Sequence, residues 1–162
     1  MKTKYSDKIL GSDDLLKKVE QWKLNKETIV FTNGCFDIIH RGHVDYLFKA
    51  AALGDRLIVA LNSDRSVKRL KGEHRPIQDE MSRLSVMAAL GCVDAVILFE
   101  EDTPEDLIKK LNPDFLVKGG DWKVENIIGS SYIIAHGGQV LTIPFIPGYS
   151  TTMIEQKIKN EE

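Results

Sequence analysis

Apolar positions along the chain switch repeatedly between a spacing of three or four and short unbroken runs. That is the pattern of helices alternating with buried strands. Ser12 followed by Leu15, Leu16, Val19 and Trp22 predicts a capped amphipathic helix over about 12–23. The β-branched and aromatic run 28–32 (TIVFT) predicts a buried strand ending in the turn pair Asn33-Gly34. A second helix is expected over 42–53, with Val44, Leu47, Phe48 and Ala51 on one stripe and Gly54 closing it. Strand two covers 56–61, a short helical segment 64–70, and a loop carrying Gly72 and Pro76 follows over 71–78. Met81, Leu84, Met87 and Leu90 place a helix over 79–90, and 93–99 is strand three. Thr103 and Pro104 open the next helix as N-cap and first residue, and Asn112-Pro113 close it. Strands four and five fall at 115–117 and 139–143, and 151–158 forms a closing helix.

Strands alternating with helices imply right-handed crossovers and a parallel sheet covered on both faces. The expected fold is therefore a doubly wound, Rossmann-like α/β domain on a five-stranded parallel sheet. It is a single domain over 1–162, with its core at about 28–158. Ligands in such sheets bind beyond the carboxyl ends of the strands, where the strand order reverses. The segments after strands one, four and five are thus where chemistry is sought.

Composition narrows the class. The 162 residues are 43% hydrophobic and 28% charged, ordinary values for a folded domain. Lysine plus arginine number 22 against 24 acidic residues, a net charge of -2 that gives no reason to expect a nucleic-acid or membrane-surface partner. Apolar runs fall short of the ~18 residues of a membrane helix, and the start is too polar for a secretory signal. Cys35 and Cys92 stand far apart without CxxC spacing, so no disulfide framework is expected. The chain reads as a soluble, cytoplasmic protein of a reducing compartment.

Three segments carry candidate chemistry. In TNGCFDIIHRGH, His40 and His43 lie three apart at a helix start and can share one face. Gly42 between them leaves room for a phosphate oxygen, and the helix start adds free N–H groups. Two such imidazoles can donate to phosphoryl oxygens as charge builds in a transition state. A bare HxxH is also what chance leaves in a surface loop. The spacing matches no standard zinc pattern, so the expectation for metal ligation by protein side chains is none. Lys118-Gly119-Gly120-Asp121-Trp122 permits close backbone approach with a lysine beside it, and is equally an ordinary Gly-Gly turn. Tyr149, Ser150, Thr151 and Thr152 enter the last helix as caps or as ligand donors. Lys68, Arg69, Lys71 and Arg75 form a solvated charge run or a polyanion clamp on the same rim. Arg83 falls on the polar side of its helix, in reach of Glu80, and Cys35 is read as packing.

Together these pieces resemble the HxGH nucleotidyltransferase superfamily, in which a TGxFD-type loop leads to an HxGH motif. Here the two read Thr32-Asn33-Gly34-Cys35-Phe36-Asp37 and His40-Arg41-Gly42-His43. Within the superfamily, FTNGCFDIIHRGHVDYL, ALGDRLIVALNSDRSVKRLKGEHRPI, EEDTPEDLIKKLNPDFLVKGGDW and IPGYSTT are similar to the D-glycero-β-D-manno-heptose 1-phosphate adenylyltransferases of ADP-heptose and lipopolysaccharide synthesis. Some members of that family follow a sugar kinase, and this chain looks like the stand-alone form.

The resemblance implies that ATP and heptose 1-phosphate give ADP-heptose and pyrophosphate, with Mg2+ bound with ATP. It implies that His40 and His43 contact the phosphates and that Lys71 steadies them. Thr32, Asn33, Gly34, Cys35, Phe36 and Gly42 would cradle the nucleotide. Lys118, Gly119, Asp121, Tyr149, Ser150, Thr151 and Thr152 would surround its ribose, base or phosphates. Asp37 and Arg75 are expected on the acceptor side. Superfamily members are commonly dimers, so a homodimer is among the expected partners. Related glycerol 3-phosphate cytidylyltransferases carry an arginine just before GxSTT. Pro144-Phe145-Ile146-Pro147 has no basic residue there, which fits the heptose branch better. The alternatives are CTP-dependent transfer to another acceptor such as glycerol 3-phosphate, and a nucleotide-binding module without turnover.

Overall fold

A computed structural model describes residues 4–160. Its sheet has five parallel strands, β1 (Ile29–Gly34), β2 (Arg56–Asn62), β3 (Ala95–Phe99), β4 (Phe115–Gly119) and β5 (Gln139–Ile143), in the order β3-β2-β1-β4-β5. The described helices are α1 (Ser12–Leu24), α2 (Arg41–Ala51), α3 (Asp64–Lys71), α4 (Glu80–Ala89), α5 (Glu105–Leu111), α6 (Ser130–Ala135) and α7 (Thr151–Lys159). Short 3-10 turns at Tyr5–Lys8 and Val124–Asn126 join them. The doubly wound Rossmann-like expectation holds.

Alternate residues of each strand face opposite layers. Ile29, Phe31, Ile58, Ala60 and Leu116 pack against Leu15, Val19 and Trp22 of α1, Ile108 of α5 and Ile133 of α6. Val30, Leu57, Val59, Leu61 and Val117 pack against Tyr46, Leu47 and Ala50 of α2 and Leu84 and Met87 of α4. Burial on both faces explains why the strands read as continuous apolar runs.

Several local expectations shift. Gly11, not Ser12, is the N-cap of α1, and Pro104 caps α5 one residue later than expected, its carbonyl accepting from Ile108 N. The α2 stripe is rotated: Gly42, Tyr46, Leu47 and Ala50 are buried and Phe48 is exposed. Tyr46 turns inward because its hydroxyl finds partners there, which outweighs burying Phe48 instead. Met81 is likewise exposed while Arg83 is buried. Asn33-Gly34 continues β1 rather than turning.

The chain runs outward from β1 to β3 and then crosses back to β4, so the strand order reverses between β1 and β4. β1 pairs with β2 over six residues, Ile29 to Gly34, but with β4 only at Val30 and Phe31. Beyond Phe31 the two strands separate, and the site lies in that cleft.

Candidate active site

The Tyr46 hydroxyl bridges the split. It lies 2.6 Å from Thr32 Oγ1 and donates to Val117 O at 3.2 Å, tying α2 to both strands. Burial pushes this phenol up to about 12, with the Thr32 hydrogen bond opposing, so it stays protonated. Thr32 is fully buried, and serves the site from beneath rather than lining it.

Two cavities open on either side of the β1 terminus. One, of ≈ 180 Å³, is lined by Asn33, Gly34, Cys35, Phe36, Asp37, His43, Lys71, Arg75, Lys118, Gly119 and Thr151 from the expected set. Tyr46 and Phe145 complete it. The other, of ≈ 570 Å³, shares Asn33, Gly34, Cys35, Lys71 and Lys118 with the first. Its further wall is Asn62, Leu70, Asp102, Thr103, Trp122, Asn126 and Ile127–Ile128. Lys71 and Lys118 therefore stand where the cavities meet. Burial lowers the Lys118 ammonium, with Lys71 adding to the effect and Cys35 opposing it.

His40 is the N-cap of α2, and its Nδ1 accepts from Gly42 N at 3.1 Å. In the neutral ring the proton then sits on Nε2, which is left as a donor. His43 Nδ1 takes the His40 N–H at 3.4 Å, and the rings stack with centroids 3.9 Å apart. Burial first, then neighbouring His40, hold His43 down to about 4; the Ile38 carbonyl opposes this and Lys71 adds to it. His40 is lowered by burial. Both rings are thus neutral near pH 7. The space beside Gly42 is filled by protein: a Cβ would stand 3.0 Å from the His40 ring and 3.3 Å from Tyr149 Cβ. Gly42 thereby leaves room for the His40 ring in its stack on His43.

Asp37 is buried and saturated. It accepts from Ile77 N, Gln78 N and Arg75 Nη1 at 2.8–3.0 Å. Burial pushes this carboxyl up, but the Gln78 and Ile77 N–H groups and Arg75 outweigh it and leave it below the usual carboxylate range. Arg75 also donates to Glu155 of α7 at 2.8 Å. Both residues anchor the 72–79 loop to the histidine-side cavity.

Ser150 caps α7 by accepting from Met153 N, and Thr151 Oγ1 donates to Ile38 O at 3.5 Å. Tyr149 stacks beneath the Arg41 guanidinium and accepts from it at 3.1 Å. Gly119 lies under the Phe145 ring, where a Cβ would meet it at 2.3 Å. Asp121 and Thr152 are exposed and line neither cavity. Of the basic run, Lys71 and Arg75 reach the cleft, while Arg69 pairs with Asp102 at its rim. Sequence reasoning missed Tyr46, Asn62, Asp102, Phe145 and the buried Arg83. Tyr46, Asn62 and Asp102 fall inside the stretches that carry the family likeness but outside their TNGCFD and HRGH motifs, and each of the five gains its place through packing. Arg83 pairs with Asp64 rather than the expected Glu80.

Residues 31–157 match the family model described as Cytidylyltransferase-like. The bifunctional protein HldE of Marinomonas sp. (strain MWYL1) is 54% identical over 92% of this chain and 31% of its own length. That of Shewanella sp. (strain ANA-3) is 56% identical over 93% of this chain and 32% of its own. The chain thus spans about a third of the length of these curated relatives. Among solved structures, the lipopolysaccharide core biosynthesis protein from Thermoplasma volcanium GSS1 superposes with a TM-score of 0.61 at 34% identity, covering 74% of this chain and 97% of its own. Pantoate-beta-alanine ligase from Francisella tularensis, solved with an ATP analogue and beta-alanine, has a TM-score of 0.58 at 14% identity over 93% of this chain and 76% of its own. At that identity it speaks for the fold alone.

Proposed function

We propose, for a chain that belongs to the cytidylyltransferase-like family of nucleotidyltransferases, that it transfers AMP from ATP to D-glycero-β-D-manno-heptose 1-phosphate. The observation that carries this is the stacked, neutral His40/His43 pair at the start of α2, of which His43 lines a cavity with two lysines while His40 stacks behind it outside the lining. The heptose acceptor rests on the likeness of the sequence to that branch, on the HldE relatives, and on the 34% identical lipopolysaccharide core biosynthesis protein.

The triphosphate lies in the smaller cavity, against His43 and the β1–α2 loop. The nucleoside extends toward Gly119, Phe145 and Thr151. The acceptor approaches from the larger cavity. There Asp102, Thr103 and Asn126 offer hydrogen bonds to a polyol, and half-exposed Trp122 offers an apolar face to a sugar ring. This moves the acceptor away from Asp37 and Arg75, whose polar groups already hold protein. Lys71 and Lys118, common to both cavities, draw the two phosphates together.

The acceptor's phosphate oxygen is already ionised at neutral pH, so it attacks the α-phosphorus without a strong base. The bond from the α-phosphorus to the bridging oxygen of the β-phosphate breaks, and pyrophosphate leaves. His40 and His43 donate to oxygens gaining charge. Mg2+ enters as part of the substrate, on the nucleotide phosphates, because the carboxylate bordering them, Asp37, is fully engaged. With ATP as substrate, the reaction belongs to the cytosol.

The purified chain, incubated with ATP or CTP and each acceptor phosphate, is expected to release pyrophosphate only with ATP and the heptose phosphate. Turnover confined to CTP and glycerol 3-phosphate would overturn the acceptor and nucleotide together.

A further inference from the structure

Arg83, on α4, is the largest fully buried side chain among the described residues, and it carries a charge. Four of its five N–H bonds are spent on four different segments. Nη1 donates to Cys35 O at 2.9 Å and Asn62 O at 2.8 Å, Nε to Gln78 O at 3.1 Å, and Nη2 to Asp64 Oδ1 at 2.8 Å. One guanidinium thus gathers the loop after β1, the end of β2, the first turn of α3 and the entry to α4.

The bond to Cys35 O matters for the site. Carbonyl and N–H point opposite ways across a trans peptide, so fixing Cys35 O inward turns the Phe36 N–H away from Arg83. Cys35 and Phe36 both line the histidine-side cavity, and among the described residues the Phe36 N–H has no protein acceptor. Phe36 itself sits at φ 46°, a left-handed conformation that a phenylalanine keeps only when its surroundings impose it. Asp37 imposes it from the other side, through Ile77 N and Gln78 N. The loop is held between an arginine on its carbonyl and a carboxylate on its neighbour.

We propose that Arg83 is a positioning residue for the nucleotide, aiming the Phe36 N–H at its phosphates while touching no substrate itself. This rests on the nucleotidyl-transfer reading above. Arg83→Lys keeps the charge but cannot span all four acceptors. In the folded variant, kcat/KM for ATP is expected to fall about 10²-fold. ATP binding, by calorimetry with Mg2+, should weaken, and the acceptor KM should stay within about twofold of the parent. A kcat/KM for ATP within about threefold of the parent, or an equal rise in both KM values, would overturn the proposal. Arg83→Met combined with Asp64→Asn strands no charge and should regain melting temperature over Arg83→Met alone. Turnover should stay low. Recovery of both together, or failure of Arg83→Lys and the double variant to fold, would reduce Arg83 to a purely structural residue. A parent that binds ATP yet transfers nothing would refute the acceptor reading alone, and the ATP affinities would still judge Arg83.

Discussion

At the scale of single residues, His43 is where burial, a stacked neighbour and a lysine act on one proton. Its imidazole titrates near 4 in the folded chain and near 6.5 in the unfolded one. Between those values the unfolded state binds more protons. The stability from the neutral ring is therefore complete above pH 6.5 and is lost as the pH falls toward 4. The melting temperature of the parent should drop further between about pH 7.5 and about pH 5 than that of His43→Gln. Equal drops would show that this ring does not govern the acid side. In turnover, His43→Ala should lower kcat by ~10²–10³-fold, as for loss of one aimed donor. ATP affinity should change far less. The motif itself was visible in the sequence, because HxGH is a local spacing. Its neutrality was not, because that depends on what covers the ring.

Among the described α-helices, α7 is the least embedded: none of its residues is fully buried. Its attachments are polar. Glu155 takes Arg75, Thr151 reaches Ile38 O, and Tyr149 just before the helix takes Arg41. Water screens the Glu155 carboxylate, so its pairing with Arg75 holds the helix only weakly. Glu155→Gln should accordingly speed hydrogen exchange in α7 roughly two- to fivefold and leave β1 unchanged. Exchange rising equally in β1 would mean that α7 opens only with the whole domain. The existence of α7, and of every strand and helix around the sheet except α6 (Ser130–Ala135), could be read from periodicity; the six residues of α6 are too short a run to show a helical stripe. Which residue capped α1 or α5, and which stripe of α2 faced inward, could not. A cap depends on the entering chain's direction, and the α2 stripe turned because Tyr46 found Thr32 and Val117 across the strands.

For the whole molecule, one cleft divides into two cavities because β1 and β4 pair only at Val30 and Phe31 and then diverge. The two cavities share Asn33, Gly34, Cys35, Lys71 and Lys118, and the two lysines are the cations common to both. Trp122→Ala should raise the acceptor KM about tenfold, the equivalent of about 1.4 kcal/mol. ATP affinity should hold, whereas a parallel loss of ATP binding would place the nucleotide in the larger cavity. The parallel sheet and the histidine pair were available from the chain's linear pattern, whereas the strand order β3-β2-β1-β4-β5 was settled by the tertiary structure. The first two follow from contacts between residues near in sequence, or from a handedness rule that admits few topologies. The division of labour among charged residues was not available. Asp37, Arg75 and Arg83 all looked like surface or substrate-facing groups. Folding buried Asp37 and Arg83 against backbone groups distant in sequence, where an unmet carbonyl or N–H costs more than a solvated side chain returns, and set half-buried Arg75 between the carboxylates of Asp37 and Glu155.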